Sequence, residues 1–348
     1  MAIRARLLRW AIVVAAGCSA GGCAHLLPFQ APDSVLLRVG SVHEVEQAKP
    51  YAPIYTPYAI LAAKAYEDLG GQNLHPVTHK IDFGRRTEAA NALIHSGWDY
   101  VEGGIGPLPC LASKPDCNGF GIVTGGLEYQ IWKRKGAVCR EVVIAFRGTD
   151  FDSLDDWLAN LRWFTRLLPI ADEYVQVRAQ ISNIVAKIEH YECYRPHATA
   201  IIATGHSLGG GLAQHAAYAS GKISYVYAFD PSPVTGFFDI SEILRQEHSE
   251  HLPIDRVYEH GEILAYVRYV LKNIFPPRPC DPQVRLVRFN ALAGSAIAQH
   301  NMARLSEKLL NWTMAPPSRP RVIPVLPLPT PDDRIAAGCT VLAAKTRS

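Results

Sequence analysis

Residues 201–218 read IIATGHSLGGGLAQHAAY. A β-branched run stops at Gly205, one serine stands at position 207, and an alanine-rich run begins after Gly209. The first part has the composition of a strand and the second that of a helix. A strand that runs straight into a helix makes a sharp turn. The residue at its apex is strained, and its side chain projects from the sheet. The neighbours two positions to either side must be small, because the strand and helix backbones nearly touch. Gly205 and Gly209 meet that demand, and Gly210 and Gly211 let the helix pack closely. This G-x-S-x-G pattern makes Ser207 a candidate nucleophile. The helix start also offers N–H groups without intrahelical partners and a positive dipole end. The Leu208 N–H is therefore the first candidate oxyanion donor.

Outward from the elbow, strand and helix signals alternate. Strands are expected at Leu127–Lys133, Glu141–Phe146, Ala198–Ala203, Ile223–Phe229, Arg256–Tyr258 and Val284–Phe289. Helices are expected at Pro57–Asp68, Asp172–Tyr191, Gly209–Ala219, Ile263–Ile274 and Ala303–Trp312. EVVIAF at 141–146 is a continuous apolar run, typical of a strand buried on both faces. Val175, Val177, Ile181, Ile184, Val185 and Ile188 recur at helical spacing. The alternation predicts an α/β fold with a mostly parallel central sheet and helices on both faces, and a G-x-S-x-G elbow set in such a sheet resembles that of the α/β-hydrolases. Residues 24–50 read as an irregular entry segment, and 70–125 show too little periodicity to assign.

A serine hydroxyl is a poor nucleophile until a base removes its proton. In this fold the chain order is Ser, then Asp or Glu, then His. His300 is the one histidine after the last strand, and it precedes the terminal helix. Two acids end strands at the same sheet edge: Glu262, reached through a glycine turn in RVYEHGE, and Asp230, directly after YVYAF. Glu262 is the first choice and Asp230 the alternative. Asp255 begins a strand and so lies at the opposite edge. His206 is read as elbow support pointing away from the Ser207 side. Glu247, His248, Glu250 and His251 lack the HExxH spacing of a metal site and read as a solvated loop. The reading requires a Ser207 oxygen that is accessible and within reach of a histidine ring.

VVIAFRGTDFDSLDDWLANL at 142–161, together with GHSLGG at 205–210, resembles the class 3, fungal-type lipase family. Asp156, Trp157 and Asn160 stand at the family's spacing, and the resemblance covers roughly residues 127–310. It implies hydrolysis of carboxylic esters, with lipids as the substrate class, and without cofactor or metal. It implies Thr149 as the second oxyanion donor, in agreement with that residue's place at the end of a buried strand. It puts an aspartate where Glu262 stands. The apolar stretch 161–168 falls where the family carries a lid, although a core helix reads equally well. The chain departs from the family at IADEYVQVRA, where a His-x-Gly-Phe motif is usual, and in an insertion at 231–254.

The N-terminus carries Arg4, Arg6 and Arg9 before AIVVAA, an apolar run too short to span a bilayer alone. AAGC, ending at Cys18, resembles a bacterial lipoprotein signal; AGGC, ending at Cys23, is the alternative. The chain is therefore expected to be exported from a bacterial cytoplasm and lipid-anchored at a membrane, or else released in the periplasm or beyond. The formal charge of +3 falls to neutral once residues 1–17 are removed, so the basic pI carries no expectation of nucleic-acid binding. Export also makes disulfides the expected fate of the six later cysteines, with Cys110–Cys117 the safest pair. The expected organisation is a signal region at 1–23, a hydrolase domain at 24–315 and a proline-rich tail at 316–348. The expected partners are an ester or lipid substrate and a membrane surface. Two rival readings are an inactive lipoprotein of the same fold that binds lipid or protein, and a hydrolase of polyester, peptide or thioester bonds.

Overall fold

The computed structural model describes residues 29–39, 42–66, 97–105, 127–148, 173–249, 252–266, 268 and 284–315. Nine strands form one sheet: β1 (Ser34–Val39), β2 (Val42–Gln47), β3 (Trp98–Ile105), β4 (Glu128–Arg134), β5 (Glu141–Phe146), β6 (Ala200–His206), β7 (Ile223–Phe229), β8 (Ile254–Glu259) and β9 (Val284–Phe289). Their spatial order is β2-β1-β9-β8-β7-β6-β5-β4-β3. Strands β5 to β9 are mutually parallel, while β1, β2, β3 and β4 pair antiparallel at the two edges. This is the helix-flanked sheet expected from the alternation of elements, and it is an α/β-hydrolase architecture.

The helices are α1 (Ala52–Lys64), α2 (Glu173–Glu189), α3 (Leu208–Ala219), α4 (Glu242–Ser249), α5 (Ala296–Gln299) and α6 (Met302–Met314). Parallel strands β5, β6 and β7 are neighbours in chain order. Right-handed crossovers between them must place their helices on one face. Accordingly α2 and α3 share a core with Val142, Ile144, Ile201, Ala203, Val226 and Ala228. The alternate residues Val143, Ala145, Ile202, Tyr227 and Phe229 face α1 and α6 on the other side. The period of two along each strand thus divides one sheet between two cores.

Helix α1 is apolar all round because it is covered on all sides: Tyr55, Ala59, Ile60, Leu61, Ala62 and Ala63 are fully buried. It begins five residues earlier than expected. Pro57 reads as a helix start, but Pro53 occupies the first turn and Pro57 lies inside the helix.

The segment expected to be irregular, 24–50, instead contributes the β1–β2 hairpin. Its partner β9 lies some 250 residues downstream, which no local pattern reveals. Likewise β3 lies within the unassigned 70–125 region and is held by β4.

Cys139 and Cys193 form a disulfide with Cα atoms 5.1 Å apart. Closing a loop of this size removes about 4 kcal/mol of chain entropy from the unfolded state in the simplest model. The expected Cys110–Cys117 pair lies outside the described residues. So do the 1–23 signal region with Cys18 and Cys23, the tail 316–348, and Thr149. Among the described residues no helix is long and apolar enough to cross a membrane.

Candidate active site

Strand β6 continues to His206 and α3 begins at Leu208, so Ser207 alone forms the turn. Its φ of 56° and ψ of −122° are the strained geometry that the glycine spacing predicts. The turn is fixed by backbone bonds. Ser207 N–H donates to the Phe229 carbonyl at 3.0 Å, and the Ser207 carbonyl accepts from Ser232 N–H at 2.9 Å and Gly210 N–H at 3.1 Å. A Cβ on Gly205 would lie 2.4 Å from the Gly209 carbonyl oxygen, and one on Gly209 would lie 2.3 Å from the Phe146 carbonyl oxygen. Both clashes are with backbone, which has no rotamer to escape into. We expect Gly209→Ala to cost about 3 kcal/mol of stability, read as a lowered urea midpoint with an unchanged slope. A midpoint equal to wild type would mean that the strand–helix contact is looser than described.

The same packing brings the end of β5 across the elbow, since that Gly209 Cβ would also lie 2.9 Å from the Gly148 backbone nitrogen. Leu208 is the first helical residue, so its N–H has no partner within the helix.

His300 ends α5, just before the Asn301 cap of α6. Its Nδ1 lies 2.7 Å from Glu262 Oε2. Glu262 follows β8 through Gly261, whose φ of 85° suits glycine. Glu262 is fully buried, and two more donors converge on it: the Leu264 N–H at 2.7 Å and the Arg268 guanidinium. Arg268 also donates to the Pro231 carbonyl and stacks over the Tyr258 ring at 4.0 Å.

Asp230, the alternative acid, ends β7 at φ 38° and is fully buried. Its Oδ1 accepts the Glu259 N–H at 2.7 Å. Burial pushes its carboxyl up, opposed by the charges of His300 and Arg268. Asp255 lies at the opposite edge, as expected, where it pairs with Arg285 at 2.6 Å and accepts from Tyr55 and Tyr225.

The structure differs from the sequence reading of these residues at three places. His206 does not point away from the site: its ring lies 4.6 Å from that of His300, and its Nδ1 is 3.0 Å from the Tyr66 hydroxyl. Ser207 is only 3 % exposed, not accessible, and its Oγ makes no hydrogen bond to an imidazole among the described residues. The residues 247 and 248 fall on α4, where His248 Nδ1 meets the Tyr218 carbonyl at 2.8 Å.

Tyr66, Arg268 and Glu259 were not singled out by the sequence. None carries a local signal: each matters through a residue on another element. Glu259 accepts the Ala291 and Leu292 N–H groups, which fixes the loop leading to His300. Burial pushes its carboxyl up to about 9.

Burial also pushes the His300 imidazole down, to about 4, with the Arg268 charge adding to the effect and Asp230 opposing it. A base must be deprotonated to act. If His300 is the base, activity is present above its pKa and lost as pH falls through it. We expect the acid limb of kcat/KM on a soluble ester to lie near pH 4, below the ordinary imidazole value of about 6.5. A limb at about 6.5 would mean that His300 is hydrated in solution or is not the base.

A family model for phospholipase-like proteins, described as a Tle-like phospholipase domain, matches residues 108–232, which include Ser207 but neither Glu262 nor His300. The comparison with curated proteins finds no match. Among solved structures, the lipase of Rhizopus microsporus var. chinensis is 16 % identical, with 67 % of this chain and 71 % of that one covered and a TM-score of 0.38. The Rhizomucor miehei lipase–propeptide complex is 12 % identical over 76 % and 82 %, with a TM-score of 0.38. Lipase II from Rhizopus niveus is 16 % identical over 67 % and 77 %, with a TM-score of 0.35. At these scores the fold rests on strand order and not on the likeness. The chain has an α/β-hydrolase fold, and its segment 108–232 is similar to the Tle-like phospholipase domain.

Proposed function

We propose that this protein is a serine hydrolase of carboxylic esters in lipids, acting through an acyl-enzyme. One arrangement carries the reading: a serine stands at a strained strand–helix turn, and the His300 imidazole, whose ring lies 4.6 Å from that of the adjoining His206, has its Nδ1 held 2.7 Å from a buried carboxylate. Ser207 Oγ attacks the ester carbonyl as His300 Nε2 takes its proton. The N–H groups of Leu208 and Thr149 stabilise the oxyanion, one such donor being worth roughly 3 kcal/mol. His300 returns the proton to the leaving alcohol, and water then frees the acid by the same steps. Glu262 keeps Nδ1–H engaged, so that Nε2 faces the reaction, and it stabilises the imidazolium that forms. Asp230 remains the alternative acid. No metal or organic cofactor enters these steps.

The choice of lipid draws on the phospholipase-like match at 108–232 and on the resemblance of FRGT…DW…NL and GHSLGG to class 3 lipases. Export, with an anchor at Cys18 or Cys23 ahead of a hydrolase domain at 24–315, would hold the enzyme at a membrane. The test is a panel of p-nitrophenyl esters of rising acyl length beside phospholipid vesicles. Rates rising from acetate to long chains support the lipid reading, and a preference for acetate ends it.

The burial of Ser207 favours one rival, an inactive protein of the same fold that binds lipid or a protein partner. Covalent labelling by a fluorophosphonate separates the two. Stoichiometric labelling at Ser207 supports the hydrolase, and an inert serine supports the binder.

A further inference from the structure

We propose that His206, Asp230 and His300 form a binding site for a divalent transition ion of the zinc class, and that occupation of this site shuts off the catalytic base. One ligand atom from each residue lies within 4.8 Å of the other two, and all three residues are buried. His206 Nε2 and Asp230 Oδ2 are buried with no hydrogen-bond partner among the described residues. Polar atoms in this condition are costly, each by roughly 1–3 kcal/mol, and an ion shared by the two residues would relieve both.

The outer contacts match what metal ligands require. A ligating histidine almost always has its other ring nitrogen engaged, which fixes its orientation and leaves the remaining nitrogen for the ion. His206 Nδ1 is engaged by the Tyr66 hydroxyl at 3.0 Å, and His300 Nδ1 by Glu262 at 2.7 Å. Asp230 is fixed in the same way, with Oδ1 on the Glu259 N–H at 2.7 Å and Oδ2 buried without a hydrogen-bond partner among the described residues. Two imidazoles and one carboxylate, with a fourth position open, suit zinc or cobalt better than calcium or magnesium, which prefer all-oxygen shells. Tetrahedral bonds of about 2.1 Å hold donors roughly 3.4 Å apart, so the three side chains draw in by up to about 1.4 Å on binding.

The consequence for activity rests on the proposed role of His300. An ion on its Nε2 takes the lone pair that would accept the Ser207 proton, so the ion acts as an inhibitor and not as a cofactor.

The test uses Co2+ as the spectroscopic probe and the full chain, in wild type and in Ser207→Ala. Both are expected to bind one equivalent, with the visible absorption of four-coordinate cobalt, and Zn2+ is expected to displace it. His206→Gln and Asp230→Asn should weaken binding at least tenfold. Tyr66→Phe, which keeps the ring and removes only the hydroxyl, should weaken it by about 10- to 100-fold. In wild type, Zn2+ should inhibit ester hydrolysis with the same midpoint at which it displaces Co2+. Absence of saturable binding overturns the proposal, as does equal binding by His206→Gln or Tyr66→Phe. Cobalt bound by a wild type that hydrolyses nothing would leave the metal site standing and remove the hydrolase reading. Hydrolysis without metal binding would do the reverse.

Discussion

Ser207→Ala is expected to lower turnover of a p-nitrophenyl ester by on the order of 10⁶-fold and to abolish fluorophosphonate labelling. That loss corresponds to roughly 8 kcal/mol of barrier. The size follows from the proposed mechanism: without the hydroxyl no acyl-enzyme could form, and only binding and the oxyanion donors would remain. The substitution adds no atom and keeps the Cβ already tolerated at φ 56°. The fold should therefore survive, and an unchanged melting midpoint with an unchanged circular dichroism spectrum is part of the expected result. Residual turnover above about one per cent of wild type, in a folded variant, would place the nucleophile elsewhere.

The second large effect decides between the two acids. Glu262→Gln is expected to reduce kcat by about 10⁴-fold, the scale seen when a triad carboxylate becomes an amide. Three donors meet on Glu262: His300 Nδ1–H, the Leu264 N–H and the Arg268 guanidinium. An amide cannot accept from all three, and its NH2 must oppose either His300 or Arg268. The first case lets the imidazole turn away, and the second leaves a buried cation without its partner. Asp230→Asn should cost less than about tenfold, because the amide oxygen still accepts the Glu259 N–H. Burial also favours the protonated form of Asp230, which is a poor partner for a forming imidazolium. The comparison is read as kcat on a soluble ester, at a pH where His300 is neutral. A 10⁴-fold loss in Asp230→Asn with near-normal Glu262→Gln would transfer the role to Asp230.

The elbow was legible because its causes are local. Gly205 and Gly209 are required by backbone contacts between adjacent elements, and a strand run meeting a helix run leaves one residue for the turn. Strands β5, β7 and β9 were legible to the residue for a related reason: the apolar runs EVVIAF and ISYVYAF leave few other ways to be buried, and VRLVRF alternates with the period of a strand buried on one face. The β1–β2 hairpin was not. VLLRV and VHEVEQ have ordinary alternation, and what makes them strands is the free edge of β9.

Local order along the chain thus settled the fold class, the sharp turn at 207 and the set of titratable residues near the carboxyl ends of the strands. Folding alone decided which of those residues meet. It set Glu262 against His300, turned His206 toward His300 and onto Tyr66, supplied Arg268 to the acid, and buried Ser207. The physical reason is range. Turn geometry and burial of an apolar run depend on a few neighbouring residues, whereas a proton path or an ion pair depends on distances of a few ångströms between side chains carried by separate elements. Only the packed sheet brings those together.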